Sequence, residues 1–173
     1  QIRSARNGRL LKSATKEPTL SLASILTSVT GSAAASSFRL ASHEPVKQVP
    51  PYLTAVLVGE FDVLEDVYQP ADSSLAAVPL RFFMARGRGI EKARFSLSEV
   101  KGSLGLFADL FGCPYPLPKL DLAAIPDFAI GGMENWGMIC LVESTLLLPT
   151  DSSIASMAGT SALVCHEVSH NWF

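Results

Sequence analysis

The sequence predicts an α+β fold, and three patterns carry that expectation. Apolar residues alternate over 52–62 and 78–85, the spacing of half-buried strands. Further apolar, strand-like runs cover 119–125 and 138–148. Apolar residues recur at three- and four-residue steps over 91–111 and 154–172, the spacing of a helix face. At 173 residues and 48% hydrophobic content the chain suffices for one domain, or the pieces of two, with a buried core.

Residues 1–50 are the least informative. Arg3, Arg6, Arg9, Lys12 and Lys16 fall in the first sixteen positions without an acidic residue, a composition shared by transit peptides and by solvated basic loops. The loop in a fragment is the preferred reading, because the chain starts at Gln1 and not at Met. Asn7-Gly8 signals a turn, and the serines of 32–37 with Pro45, Pro50 and Pro51 read as loop and linker. Over 52–62, Leu53, Ala55 and Leu57 stand opposite Thr54, Val56 and Val58, as in a strand. Pro70, Asp72 and the paired serines that follow break that pattern, which places a domain boundary between 1–70 and 71–173.

A second strand over 78–85 turns Val78, Leu80, Phe82 and Met84 to one face. Gly87-Arg88-Gly89 ends it without the further residues a phosphate loop needs. A helix over 91–111 offers Phe95, Val100, Leu104, Phe107 and Phe111 for burial, with Gly102 and Gly105 weakening it. Pro114, Pro116 and Pro118 stop any helix there. Between the last two apolar runs lies Ile130-Gly131-Gly132-Met133-Glu134-Asn135-Trp136-Gly137. Two adjacent glycines allow close backbone approach, and a strand edge freed this way can pair with an extended peptide. Taken by itself, the segment reads equally as an ordinary hairpin turn with an exposed glutamate.

The final helix is expected to begin at a cap supplied by Asp151, Ser152 or Ser153, with Ile154, Met157, Ala158, Ser161, Cys165, Val168 and Trp172 facing the core. It ends in His166-Glu167-Val168-Ser169-His170, an HExxH. Two of the chain's three histidines fall in this one motif, which weighs against coincidence. On a helix, His166 and His170 project from one face a turn apart and can take two corners of a tetrahedral zinc site. Glu167 stands next to His166, in reach of a water there as general base.

Bulk properties exclude other classes. A net charge of −2 and a pI near 5.9 give no reason to expect nucleic acid or an anionic membrane as partner. No run is long and apolar enough to span a bilayer; residues 19–38 come nearest but are interrupted by Ser and Thr. Cys113, Cys140 and Cys165 form no C-x-x-C pair, and an odd count argues against a disulfide framework, so a reducing, cytoplasmic setting is expected.

The GGMENWG segment followed by HExxH resembles the zinc aminopeptidases of the aminopeptidase N and puromycin-sensitive type, a gluzincin family. Glu134 precedes His166 by 32 positions, close to the family's separation. Tyr115-Pro116-Leu117-Pro118-Lys119-Leu120-Asp121, continuing to Ile125-Pro126-Asp127-Phe128, is similar to the segment leading into that signature. Pro51-Tyr52-Leu53 and the strand after it look like the last strands of the family's N-terminal β domain. The resemblance covers residues 50–173.

It implies the end of an N-terminal β domain in 1–70, then the first part of a thermolysin-like catalytic domain in 71–173, beginning near Val78. It implies Zn²⁺ held by His166 and His170, with Glu167 as general base. Glu134 would bind the free α-amine of a peptide, and Gly131, Gly132, Met133 and Asn135 would align its backbone. Ile130 would line the first side-chain pocket. The expected substrates are peptides with a free N-terminus. Zinc endopeptidase activity, with Glu134 merely structural, and a non-catalytic binding module are the alternatives.

Departures from the family pattern matter as well. The family's third zinc ligand, a glutamate well beyond the second histidine, has no counterpart in this chain, nor has the tyrosine that stabilises the tetrahedral intermediate. The chain is therefore expected to be a fragment that is inactive alone. Gly132 stands where alanine is commoner and is shared with the branch of aminopeptidase B and leukotriene-A hydrolase. Trp136-Gly137 fits the aminopeptidase N branch.

Overall fold

The computed structural model describes residues 49–173. The readings made for 1–48 lie outside the described residues. Five strands and three α-helices follow in the order β1 (Phe61–Tyr68), β2 (Val78–Ala85), α1 (Arg94–Phe111), β3 (Leu120–Ile125), β4 (Gly132–Met133), β5 (Met138–Val142), α2 (Glu143–Leu146) and α3 (Ile154–Ser169). The α+β expectation holds.

The strands form one mixed sheet in the order β1-β2-β3-β5-β4. β2, β3 and β5 run parallel, while β1 and β4 lie antiparallel on the two edges. Strands at the centre of such a sheet are covered on both faces and read as continuous apolar runs. That is why Leu80, Phe82, Phe83 and Met84 are all buried, as are Leu120, Leu122, Ala123 and Ala124. One face meets α1 and α3 through Leu97, Val100, Leu104, Val164 and Val168; the other carries Phe83 and Met138 against Ala55, Leu57, Phe61 and Val63.

Several expectations shift in position. The strand placed at 52–62 is instead a 3₁₀ turn over Pro51–Leu53, with a single bridge at Val56, and the ladder starts at Phe61. Pro50-Pro51 favours the turn. Ala55 and Leu57 do face the core, but Val56 and Val58 are 60% and 82% exposed. The 1–70/71–173 division falls in the connection between β1 and β2, which pair along their whole length. The helix of 91–111 begins as a 3₁₀ turn at Ile90–Ala93, and its core line includes Ser96 and Leu97 in place of Phe95 and Phe111. The run over 138–148 stays extended to Val142 and then turns into α2.

The α3 stripe is rotated by about one position. Thr160, Val164, Glu167 and Val168 are buried, while Ile154 is 86% exposed and Met157 is exposed too. The Thr160 hydroxyl, donating to the Thr145 carbonyl, takes the inward place that apolar spacing assigned to its neighbours. Ser153 caps the helix by accepting from the Ser156 amide at 3.1 Å. No helix among the described residues is long and apolar enough to cross a membrane.

Candidate metal centre and adjoining sheet edge

HExxH closes α3, with His170 at its C-cap still in helical conformation (φ −62°, ψ −13°). The turn is fastened from outside the helix. Asn171, buried, donates from its amide to the carbonyls of Glu167 at 3.4 Å and Val168 at 3.2 Å. The Tyr115 hydroxyl donates to Asn171 Oδ1 at 3.3 Å, and Trp172 Nε1 donates to the Cys113 carbonyl at 3.2 Å. Trp172 packs among Phe107, Phe111 and Tyr115. Carbonyls that lack intrahelical partners at a helix end thereby find them, and the histidines stand on a fixed base.

The two imidazoles converge. His166 Nε2 and His170 Nε2 are 3.3 Å apart, with rings perpendicular at 87°. Two nitrogens each about 2.0–2.1 Å from zinc at the tetrahedral angle are separated by about 3.3 Å, so the pair fits two corners of such a site. A ligand atom of Glu167 completes a cluster in which all such atoms lie within 4.8 Å of one another. Burial pushes the Glu167 pKa up; His166 pulls it down, Glu134 adds to the rise, and His170 opposes it. Glu134 stands two positions beyond Gly132, the β4 residue whose backbone meets Glu167.

The contact between motif and sheet edge is made at Gly132. A Cβ built there would stand 2.5 Å from Glu167 Cδ and 2.7 Å from its Cγ, so the carboxylate side chain rests against the bare backbone of β4. Gly131 faces Leu163 of the same helix, 3.5 Å from where its own Cβ would be. Gly132 pairs with Leu141 and Met133 with Cys140, while the Val142 amide donates to the Gly131 carbonyl. The segment forms a hairpin with β5, and its strand β4 is the sheet's edge. An edge strand presents unpaired backbone groups to an extended chain.

Asn135 is buried, and its amide donates to the Tyr52 carbonyl at 3.5 Å. It props the loop and does not project as a free polar group. Ile130 is 52% exposed beside the glycines.

Sequence reasoning did not single out the ion cluster beneath this loop. Asp121, fully buried, accepts from Arg81 Nε and Nη2, both at 2.8 Å, and from Lys119 Nζ at 2.6 Å. The available signal was a carboxylate inside an apolar strand, which requires buried cationic partners. Tyr115 and Asn171 were likewise not recognised as the brace of the histidine turn.

Residues 95–173 match the peptidase family M1 domain. The chain is similar to Aminopeptidase M1-B of Oryza sativa subsp. japonica, 42% identical over 123 residues, which are 70% of this chain and 13% of that protein. It is 35% identical to Aminopeptidase M1 of Arabidopsis thaliana over 138 residues, 79% of this chain and 15% of the relative. Endoplasmic reticulum aminopeptidase 1 of Homo sapiens is 39% identical over 124 residues, 70% and 12% of the respective chains. The chain thus spans between 12% and 15% of the length of these relatives.

Proposed function

The chain belongs to peptidase family M1, and from that premise we propose that it carries the amine-recognition and metal-binding half of a zinc aminopeptidase site. The supporting observation is the meeting of two motifs 32 positions apart in sequence: the Gly132 backbone lies against the Glu167 side chain. His166 and His170 would hold the ion. When bound, zinc acts as a Lewis acid and brings the pKa of a water to about 7.

Glu167 takes the proton from the attacking water. Its carboxylate is buried against the Gly132 backbone, beside the two imidazoles. Glu134 pairs with the α-ammonium of the peptide through charge-assisted hydrogen bonds. Gly131, Gly132 and Met133 align the first residues along the β4 edge, with Asn135 holding the loop. An internal peptide bond offers no ammonium to Glu134, so the acid restricts cleavage to the N-terminal bond. The surrounding fold is read as the first part of a thermolysin-like domain from residue 71, preceded by the end of a β domain. The three free thiols support a cytoplasmic setting.

A catalytic zinc needs three protein ligands besides the water. Among the described residues, the metal-capable group is His166, Glu167 and His170, and its carboxylate is the base. The 173-residue chain alone is therefore proposed to bind zinc weakly and to lack turnover; tight stoichiometric zinc in the purified chain would contradict this. The activity is tested in a full-length M1 protein carrying this segment. It should release N-terminal residues from unblocked peptides and spare N-acetylated ones. Equal cleavage of both would remove Glu134 from amine recognition and favour an endopeptidase.

A further inference from the structure

We propose that Lys119 is a positioning residue for Glu134: its ammonium, seated on buried Asp121, clamps the Gly137 carbonyl and fixes the turn that follows the acid. The consequence for substrate rests on the amine-recognition reading of Glu134; the clamp itself does not.

Glu134 lies between two constraints. Before it, Met133 pairs with Cys140 in the sheet. After it, Asn135–Met138 forms a turn closed by the Met138 amide donating to the Asn135 carbonyl at 3.0 Å. Gly137 occupies the left-handed region of that turn (φ 73°), where a side chain would be strained and would meet Leu117 at 3.4 Å. Its carbonyl is held twice, by the Asp121 amide at 3.0 Å and by Lys119 Nζ at 2.6 Å. On the opposite side the Trp136 amide donates to the Leu53 carbonyl at 3.2 Å.

Lys119 is not required to satisfy Asp121, which Arg81 already engages with two parallel hydrogen bonds. The ammonium's other contact is the loop carbonyl. Burial lowers its pKa, and Asp121 opposes that change. A carboxylate that must meet an ammonium beside a metal has to be held to within about half an ångström. A charge-assisted donor on the neighbouring turn supplies such a restraint.

The test begins with Lys119→Met in the 173-residue chain, which keeps the apolar stem and the Arg81–Asp121 pair. Amide hydrogen exchange should accelerate about tenfold or more at Asp121, Trp136 and Met138, with α1 and the β1–β2 ladder unchanged. Lys119→Arg, which restores a cationic donor, should recover most of the protection. Unchanged exchange at those three amides, or uniform acceleration through the molecule, would overturn the proposal. In a full-length protein carrying the segment, Lys119→Met should raise KM for free-amine substrates about tenfold with a smaller change in kcat. Local acceleration with KM unaltered would overturn the positioning of Glu134 by Lys119, whereas the amine-binding reading fails separately, if N-acetylated peptides are cleaved as well as unblocked ones.

Discussion

Replacing Asp121 by Asn tests whether the ion cluster under the loop carries the stability its burial implies. Oδ2 receives two donors, Arg81 Nη2 and Lys119 Nζ, and Oδ1 receives Arg81 Nε. An asparagine can keep its oxygen at the Oδ2 position, but its amide then faces the Arg81 Nε–H, donor against donor. One charge-assisted bond is lost outright, at about 1.5–3 kcal/mol, and the remaining two lose the acceptor's charge. Breaking a fully buried pair costs about 3–5 kcal/mol. Here the Arg81 and Lys119 side chains remain 25% and 29% exposed and can rehydrate in part, so about 2–3 kcal/mol is expected. For a unit of this size that corresponds to a Tm lower by roughly 10 °C. Urea and thermal melts of the metal-free chain measure it, with Glu60→Gln as the control. The Glu60–Arg86 pair is 81% and 73% exposed, and its loss should cost less than about 0.5 kcal/mol. Should Asp121→Asn cost no more than the control, the cluster is not a structural keystone, and the reasoning from burial fails.

Three other outcomes follow from the same geometry. In a full-length protein carrying the segment, Glu167→Gln should retain the metal and lose about 10²–10⁴-fold in kcat, because the imidazole pair is untouched while the base is removed; retained turnover would take Glu167 out of that role. In the metal-free chain, burial raises the Glu167 pKa above the ordinary glutamate value, so the native state holds that proton more tightly than the unfolded state. This contribution is fully present below the unfolded pKa and lost as pH rises through the folded one. Wild type should therefore lose stability relative to Glu167→Gln as pH rises from the ordinary glutamate pKa through the raised one, and a constant difference in urea melts would contradict it. Finally, burial pushes the Cys140 thiol up to about 11, whereas Cys113 is exposed. Peptide mapping after brief alkylation near pH 8 should find Cys113 modified first and Cys140 last, and equal rates would be inconsistent with that burial.

The parts of this molecule legible from sequence are those with a strong local signature. A helix cap among Asp151, Ser152 and Ser153, the extended runs at β2 and β3, and the convergence of His166 and His170 follow from residue type and spacing alone, and the cap is Ser153. The edge strand β1 was misplaced because Asp62, Glu65 and Asp66 mask its alternation, while the tidy alternation at 53–58 forms no ladder. The α3 stripe was rotated because Thr160 satisfies its hydroxyl on Thr145, fifteen positions away in sequence, which apolar periodicity cannot reveal. The Arg81–Asp121–Lys119 cluster was missed for the same reason. Its members are unremarkable singly, and their roles arise when β2 and β3 pair Arg81 with Asp121.

The separation of the two motifs is intelligible from the sheet. β3 and β5 are parallel neighbours, and parallel neighbours need a crossover of at least about a dozen residues. Here residues 126–137 make that crossover, and β4 folds back within it onto the far side of β5. The acid sits at the sheet's edge because it directly follows β4. The chain then needs β5, α2 and the length of α3 to return to that edge, arriving with Glu167 against Gly132. Sheet register and helix packing together hold Gly132 against Glu167, two positions before Glu134. Under the proposed amine-recognition role of Glu134, a site built this way would measure one residue from the charged end of a peptide with the stiffness of its scaffold.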